Sequence, residues 1–179
     1  MKYLIASDIH GSAYFTEKLI SEFRKEKADK LILLGDIYNH GPRNPFPERF
    51  DEMKVAKMLN AEKEHLLVIK GNCDSEVDTL ISEFDFLENL TIVDNGKTLF
   101  LSHGHIYNKE NPPKTRFDVV MYGHLHTGFI EENNGTVFVN TGSISLPKNG
   151  TAESYVLYDE GTIYLKAIDG EILKQCNLL

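Results

Sequence analysis

Short apolar runs alternate with amphipathic helical stretches through the first half of the chain. The runs KYLIAS, KLILLG and HLLVIKG are typical of buried strands, and the stretches SAYFTEKLISEFRKEK and EMKVAKMLNAEK have helical character. In the first helical stretch, apolar residues recur at the spacing of one helix face: Phe15, Leu19, Ile20 and Phe23. This βαβαβ order predicts parallel strands that are joined by right-handed crossovers.

The second half of the chain consists mostly of strands joined by tight turns. DNGK, ENNGT and DEGT are hairpin signals, and they lie among runs such as TIVD, TLFLSH, TVFVN and SYVLYD. We find no internal repeat, low-complexity segment or linker-like stretch. We therefore expect an α/β fold in which residues 1–179 form a single domain, with two packed sheets and helices on their outer faces.

Composition excludes several classes of protein. A length of 179 residues with 41% apolar and 26% charged residues is ordinary for a globular domain. The net charge of −8 disfavours bulk nucleic-acid binding, although a local site could still accept a phosphate ester. No apolar run approaches the roughly 20 residues that cross a bilayer, and the N-terminus does not resemble a secretory signal. Two cysteines, Cys73 and Cys176, make no disulfide framework, so we expect a cytoplasmic protein without a membrane partner.

Residues with metal-binding side chains follow five of the predicted strands. The loops SDIHG, LGDIYNHGPRN, KGNCD, LSHGH and MYGHLH contain six of the seven histidines, whereas His65 is expected to begin a strand. The carboxyl ends of parallel strands meet at one edge of a sheet, where α/β proteins usually place their chemistry. Asp8 and His10 are two residues apart, as are His124 and His126, so an extended backbone would direct each pair to one side.

Each of these motifs is common by itself, because Asp, Asn and Gly also fill turns for conformational reasons. A single buried histidine is more often a hydrogen-bonded core residue than a metal ligand. The order D-x-H, G-D, G-N-x-D, H-G-H and G-H-x-H, with each motif at a strand end, favours a shared site over five unrelated turns.

This ordered set of motifs resembles the metallophosphoesterase superfamily. NHGPRN, GNCDSEVD and NTGSISLPK are similar to segments of its YfcE-type phosphodiesterases, and the resemblance runs from Met1 to at least Tyr158. It implies a calcineurin-like αββα sandwich of two mixed β-sheets flanked by helices. It also implies a metal-dependent phosphodiesterase that hydrolyses small phosphodiesters with a hydroxide activated by two metal ions, roughly 3.5–4 Å apart in such sites.

The resemblance also implies a set of metal ligands. Two divalent ions would share the bridging carboxylate of Asp36. The other ligands are divided between the two ions, with Asp8, His10 and His126 on one and Asn72, His103 and His124 on the other. Imidazole with carboxylate suits Mn²⁺, Fe²⁺, Co²⁺, Ni²⁺ or Zn²⁺, and similarity to the family favours manganese.

Cys73 departs from the superfamily pattern, in which the third motif often reads G-N-H-D or G-N-H-E. There the histidine approaches the phosphate, as a proton donor or as a group that stabilises charge. A thiol with a reference pKa of ~8.5 is no substitute for an imidazolium at neutral pH. Whether Cys73 fills space or takes part in chemistry stays open. Asp74 is expected to orient a neighbouring ligand or donor.

Four further residues are candidates for catalysis or substrate binding. Asn39, His40 and Arg43 follow Asp36 closely enough to reach a bound ester, and Arg43 could offer a forked donor to phosphate or remain solvated. His105 is the remaining imidazole that could donate a proton, and its alternatives are to orient a ligand or to face solvent.

Two rival functions remain open on the sequence. The retromer subunit with the same fold is similar in its small size and its histidine motifs, and it is a non-catalytic protein-binding scaffold; that function would tolerate loss of the metal ligands. A nucleotide or nucleic-acid diesterase is the other alternative, although the acidic net charge disfavours long polymers. The sequence fixes neither the natural substrate nor the oligomeric state, and a homo-oligomer is among the options.

Overall fold

The computed structural model describes residues 1–179, and its first half consists of three neighbouring parallel strands with helical crossovers. β1 (Lys2–Ala6) pairs with β2 (Lys30–Leu33), which pairs with β3 (Leu66–Ile69). α1 (Ala13–Glu26) connects the first two strands, and α2 (Glu52–Asn60) lies between the second and the third. The predicted βαβαβ order and its parallel pairing are confirmed.

Both helices begin at a side chain that caps the first turn. Ser12 Oγ accepts a hydrogen bond from the backbone N–H of Phe15, and Asp51 Oδ1 accepts one from that of Lys54. Such caps satisfy backbone donors that lack a partner within the helix. The face predicted for α1 is the buried one, with Leu19 fully inaccessible to solvent.

The remaining strands build the rest of two sheets. In chain order they are β4 (Phe86–Leu87), β5 (Leu90–Asp94), β6 (Lys97–Leu101), β7 (Val119–Tyr122), β8 (Gly128–Asn133), β9 (Thr136–Thr141), β10 (Ser154–Asp159), β11 (Thr162–Ala167) and β12 (Ile172–Asn177). A seven-stranded sheet has the order β12-β11-β10-β1-β2-β3-β4, and a five-stranded sheet has the order β5-β6-β7-β9-β8. Both sheets are mixed. In the larger sheet β1 to β4 are parallel neighbours and β10 to β12 pair antiparallel, and in the smaller sheet β6, β7 and β9 are parallel neighbours between antiparallel pairs.

The three predicted hairpin turns are present, between β5 and β6, β8 and β9, and β10 and β11. Their central pairs are Asn95–Gly96, Asn134–Gly135 and Glu160–Gly161, and all six residues have positive φ. Two successive positive φ values define the type I′ turn, whose twist matches that of the flanking strands. These turns therefore set the register of each hairpin.

The hydrophobic core has two main layers. One lies between the two helices and the larger sheet, and it includes Leu4, Leu19 and Val55. The other lies between the two sheets, and it includes Met121 and Val139. Burial of each such side chain stabilises the fold by about 1.5–3 kcal/mol.

The outer face of the smaller sheet differs from the expectation, because no helix covers it. Phe100, Tyr122 and Phe138 form a small aromatic cluster on this face, and Phe117 from the β6–β7 connection stacks on Phe100 with ring centroids 5.0 Å apart. That connection contains Pro112 and its neighbouring proline, which cannot donate backbone hydrogen bonds within a helix. It crosses between two parallel strands as an irregular segment.

His65 ends a 3₁₀ turn, Lys63–His65, directly before β3, so it precedes the strand that it was expected to begin. Its ring lies 6.0 Å from that of Phe23, between centroids. Neither helix combines the length and apolar character that a bilayer crossing requires.

Replacement of Val139 by Ala should destabilise the protein by about 2–3 kcal/mol, because it removes buried methyl groups and leaves a cavity between the sheets. The matched control is Val93→Ala in the same sheet, where the side chain is 70% exposed, compared with 0% at Val139. The control should change the free energy of unfolding by less than about 0.5 kcal/mol. Urea unfolding measures both, and equal losses would contradict the assigned core.

Candidate metal centre

Seven predicted ligands follow five strand ends, three in the larger sheet and two in the smaller. Asp8 and His10 follow β1, Asp36 follows β2, Asn72 follows β3, His103 follows β6, and His124 and His126 follow β7. Within each sheet these strands are parallel neighbours, so their carboxyl ends lie at the same edge. The two edges meet, and the fold brings all seven residues into one cluster.

Five of these residues have a left-handed backbone. The φ angles are 59° at Asp8, 51° at His10, 55° at Asp36, 63° at His124 and 58° at His126. The prediction that an extended backbone aligns Asp8 with His10 and His124 with His126 is therefore wrong, since all four residues have positive φ. This conformation costs roughly 1–2 kcal/mol per non-glycine residue, and such strain concentrates at functional sites.

Asp8, His10 and His126 form the more deeply buried group. The Nε2 atom of His126 lies 3.3 Å from Asp8 Oδ1 and 3.2 Å from the Nε2 atom of His10. His10 Nδ1 lies 2.6 Å from the carbonyl oxygen of Asn39, and His126 Nδ1 lies 2.7 Å from that of Leu146. A carbonyl only accepts hydrogen bonds, so each Nδ1 carries a proton, and each Nε2 presents a lone pair to the centre.

His103, His124 and Asn72 form the more open group. His103 Nε2 lies 3.0 Å from Asn72 Oδ1 and 3.2 Å from His124 Nδ1. His103 Nδ1 donates to the carbonyl of Leu34 at 2.7 Å, which again directs the Nε2 lone pair inward. Asn72 is exposed and His124 is half-buried, so this group faces solvent on one side.

Asp36 lies between the two groups. Its Oδ2 atom is 3.7 Å from His10 Nε2 and 3.5 Å from His103 Nε2. Its Oδ1 atom accepts a hydrogen bond from the backbone N–H of Cys73 at 2.8 Å. The close approach requires glycine at position 71, where a Cβ atom would lie 2.2 Å from Asp36 Oδ1. One carboxylate oxygen therefore faces both groups.

The donor set of the cluster fits divalent cations. Asp8 Oδ1 is buried and has no hydrogen-bond partner, while the Nε2 lone pairs of His10 and His126 face it. Burial opposes ionisation of Asp8, but positive charge on the neighbouring imidazoles, which protons supply where no cation is bound, outweighs it and holds the pKa of Asp8 well below its ordinary value. Carboxylate and imidazole atoms that face one another without a donor suit a metal such as Mn²⁺ or Zn²⁺.

Burial disfavours the charged form of His103, but the carboxylates of Asp36 and Asp8 more than offset it and raise the pKa of His103 to about 9. A proton on this ring and a cation bound to it would use the same Nε2 lone pair. The electrostatic field of the site therefore favours positive charge at this atom.

Asp74 contacts backbone donors on both sides of Asp36. Its Oδ2 accepts from the N–H of Asp36 at 2.8 Å and of Gly71 at 2.7 Å, and its Oδ1 accepts from the N–H of Ile37 at 2.8 Å. Burial raises the pKa of Asp74 to about 6 in spite of these three donors. Asp74 joins the loops after β2 and β3, which is the orienting arrangement expected from the sequence.

Cys73 lies beside the cluster. Its Sγ is within 4.8 Å of ligand atoms of His10 and Asp36, and it accepts a hydrogen bond from Asn72 Nδ2 at 3.4 Å. Burial and the charge of Asp36 raise the pKa of the Cys73 thiol to about 12. The thiol is therefore neutral at physiological pH, and neither a thiolate nucleophile nor a cation is present at this position.

His40 and His105 lie apart from the residues that line the cleft at the cluster. The His40 ring packs against Phe46, with centroids 4.3 Å apart, and the neighbouring residues Asn39 and Gly41 line the cleft in its place. His105 is exposed, and its centroid lies 5.4 Å from that of His103. Partial burial and the charge of His103 lower the pKa of His105.

A cleft of about 750 Å³ opens over Asp36, Asn72 and the two histidines after β7. Two predicted substrate contacts, Asn39 and Arg43, line it. The predicted site residues did not include five further residues that line it: Gly41, Pro42, Asn44, Leu125 and Lys148. The available signal was proximity along the chain, because each lies within a motif or beside one.

Comparisons with known proteins agree with the motifs. Residues 1–162 match the calcineurin-like phosphoesterase superfamily domain. Phosphodiesterase YfcE of Escherichia coli K12 is 38% identical over 96% of this chain and 94% of its own length. The solved structure of YfcE, described as a phosphoesterase, has a TM-score of 0.96 at 37% identity and full coverage of both chains. The predicted resemblance and the two-sheet sandwich are confirmed.

More distant proteins share parts of this similarity. Phosphodiesterase MJ0936 of Methanocaldococcus jannaschii is 28% identical over 79% of this chain and 83% of its own length. A zinc complex of Vps29 from Entamoeba histolytica has a TM-score of 0.64 at 18% identity over the full length of both chains, which shows a common fold alone. By its motifs, its fold and its match over residues 1–162, the chain belongs to the calcineurin-like phosphoesterase superfamily.

Proposed function

We propose that this protein, as a single domain over residues 1–179, hydrolyses small phosphodiesters at a site that holds two divalent cations. The observation that carries the proposal is the cluster of buried lone pairs around Asp36, whose Oδ2 faces both His10 and His103. Phosphodiesterase activity in the similar YfcE of E. coli supports the same reaction class.

Each cation would have its own ligands and would share one carboxylate. Asp36 would bridge the pair, and the remaining ligands would be Asp8, His10 and His126 for one cation and Asn72, His103 and His124 for the other. Two bound cations would polarise the phosphoryl group and supply an activated water as nucleophile. The chain's own contribution is orientation, because three imidazoles are fixed by carbonyls and Asp36 by backbone N–H groups.

Manganese is the proposed metal. Hard oxygen ligands suit Mn²⁺, and the site offers them as the carboxylates of Asp8 and Asp36 and the amide of Asn72. Mn²⁺ also accepts the imidazole nitrogens that complete the set. Zn²⁺, Fe²⁺, Co²⁺ and Ni²⁺ are compatible with the same set. Both cysteines are free, which supports the proposed location in the reducing cytoplasm.

The cleft supports a polar, anionic substrate. Arg43 and Lys148 contribute two cationic side chains to its lining, whereas Asp36 is its one carboxylate. Neither of these two side chains forms an ion pair with a carboxylate within 4.0 Å in the structure. We propose that Arg43, Lys148 and Asn39 contact the ester beyond the reacting phosphate.

The rival functions make different demands on the chain. A non-catalytic scaffold needs no set of strained, buried ligand atoms, so the cluster around Asp36 favours an enzyme. A nucleotide or nucleic-acid diesterase would use the same chemistry on a larger substrate. The net charge of −8 disfavours long polymers, and assays with oligonucleotides beside small diesters separate the two.

Asp36→Ala should abolish most of the activity and weaken the binding of both cations, because the two cations would share this carboxylate. His10→Ala should weaken the binding of mainly one cation, and this variant serves as the comparison. Metal analysis of manganese-supplemented protein should give two ions per chain for the wild type, and calorimetric titration of chelator-stripped variants should follow each site. One ion or none in active wild-type protein would contradict the two-cation proposal.

Diesters should be cleaved with higher kcat/KM than the matching monoesters. A dianionic monoester would gain more than a monoanionic diester from an added cation, and position 73 holds a neutral thiol instead of an imidazolium. The comparison uses bis(p-nitrophenyl) phosphate and p-nitrophenyl phosphate, which share a leaving group. A much higher kcat/KM for the monoester would exclude the proposed preference.

Cys73→Ser should change little, since neither side chain is an effective acid at neutral pH. Cys73→His should accelerate esters with poor leaving groups selectively, by up to the ~10²–10⁴-fold typical of general acid catalysis. The measurement is the slope of log rate against leaving-group pKa, with metal content checked in each variant. An unchanged slope with both cations bound would make Cys73 a packing residue, and His105 would become the next candidate for the proton donor.

A further inference from the structure

Two serine hydroxyls from the β9–β10 connection bind the backbone of the loop after β1. Ser143 Oγ donates to the carbonyl of Asp8 at 2.8 Å. Ser145 Oγ lies 3.0 Å from the same carbonyl and 2.8 Å from that of Ile9, so its proton is shared between them. The exposed fractions of the two serines are 0% and 7%. We call residues 143–146 the serine clamp.

The serine clamp is rigid and contacts a second residue of the same metal group. Ser143 Oγ also accepts from the backbone N–H of Ser145 at 3.2 Å and of Leu146 at 2.9 Å. The carbonyl of Leu146 accepts the hydrogen bond from His126 Nδ1 at 2.7 Å. One short segment therefore fixes the backbone of Asp8 and the ring of His126.

These contacts meet a specific physical need. Asp8 and His10 have φ angles of 59° and 51°, a conformation that an unsupported chain would leave. Two donors on the Asp8 carbonyl fix the peptide between Asp8 and Ile9, and thereby the direction of both neighbouring side chains. Strained backbone persists only where the surrounding contacts hold it.

We propose that Ser143 and Ser145 are positioning residues that set the affinity of the Asp8–His10–His126 group for its cation. The inference rests on the proposed two-cation function. His103 is fixed by Leu34, and Asn72 belongs to the loop that Asp74 holds. The clamp reaches the other group only through Asp8 Oδ2, which accepts a hydrogen bond from the backbone N–H of His124 at 2.8 Å, so its main effect should be on the Asp8 group. The serine clamp makes no hydrogen bond to His103 or Asn72.

The experiment titrates Mn²⁺ into chelator-stripped protein by calorimetry. Ser143→Ala and Ser145→Ala should each weaken one of the two binding steps by roughly 10–100-fold, the usual effect of removing a group that orients a metal ligand. The matched control is Ser154→Ala. Ser154 is also 0% exposed, and its hydroxyl donates to a backbone carbonyl, that of Thr141 at 2.7 Å, and not to the Asp8 loop. Its backbone N–H donates to the carbonyl of Ser143 at 3.3 Å, a contact that the substitution leaves in place.

The control variant should bind both ions with wild-type affinity, although its unfolding temperature should fall about as far as those of the clamp variants. Ser145→Thr keeps the hydroxyl and should retain most of the affinity. Thermal unfolding in the presence of chelator shows which variants are folded. If Ser143→Ala does not fold, the comparison of Ser145→Ala with Ser145→Thr tests the inference by itself. Wild-type affinity in the folded clamp variants, or an equal loss in Ser154→Ala, would overturn the inference.

Double variants assign the affected site. In an Asn72→Ala background, Ser145→Ala should still weaken the binding of the remaining ion, because that ion would be bound by the Asp8 group. In a His10→Ala background it should have little effect, and the reverse pattern would contradict the assignment. Fewer than two ions in the wild type would count against the proposed function itself. If the wild type binds two ions and the clamp variants bind both with wild-type affinity, this inference alone is contradicted.

Discussion

Buried atoms that can only accept hydrogen bonds require positive charge beside them, and this requirement governs the centre of the molecule. Asp8 Oδ1 has no donor, and the Nε2 atoms of His10 and His126 approach each other to 3.2 Å with their protons held on Nδ1. An unpaired buried charge costs several kcal/mol. The surrounding carbonyls fix these tautomers, so the fold keeps acceptor atoms without a donor, and a bound cation would satisfy them.

That demand is maintained against the local preferences of the backbone. Left-handed conformations at five ligand positions cost roughly 5–10 kcal/mol together at 1–2 kcal/mol each, which is comparable to the whole stability of an ordinary domain. Two apolar layers, one on each face of the larger sheet, have to offset this cost. The strained loops leave strands of both sheets, so the rigidity of both layers is transmitted to the ligands.

The sequence predicted the features that depend on local patterns. The hairpins follow from Asn-Gly and Glu-Gly pairs, and the crossovers follow from helical spacing. The ordered motifs at strand ends predicted that Asp and His side chains would meet at one edge. It did not predict that Asp8 and His10 lie in a turn, because a two-residue spacing does not report φ. It also missed the serine clamp, whose hydrogen bonds join positions about 135 residues apart in the chain. The aromatic packing of His40 likewise depends on where Phe46 and Phe50 come to rest.

A neutral thiol at Cys73 is compatible with this electrostatic arrangement. Two divalent cations, bound as proposed, would carry four positive charges, and ionised Asp8 and Asp36 would offset two of them, which leaves the centre attractive to an anionic ester. A thiolate within 4.8 Å of His10 and Asp36 ligand atoms would halve that excess and compete for a coordination position. In the centre without cations, burial and the neighbouring carboxylate of Asp36 disfavour the thiolate and raise the pKa of the Cys73 thiol to about 12. With the sulfur protonated, the charge of the substrate would be balanced by the proposed cations and not by residue 73.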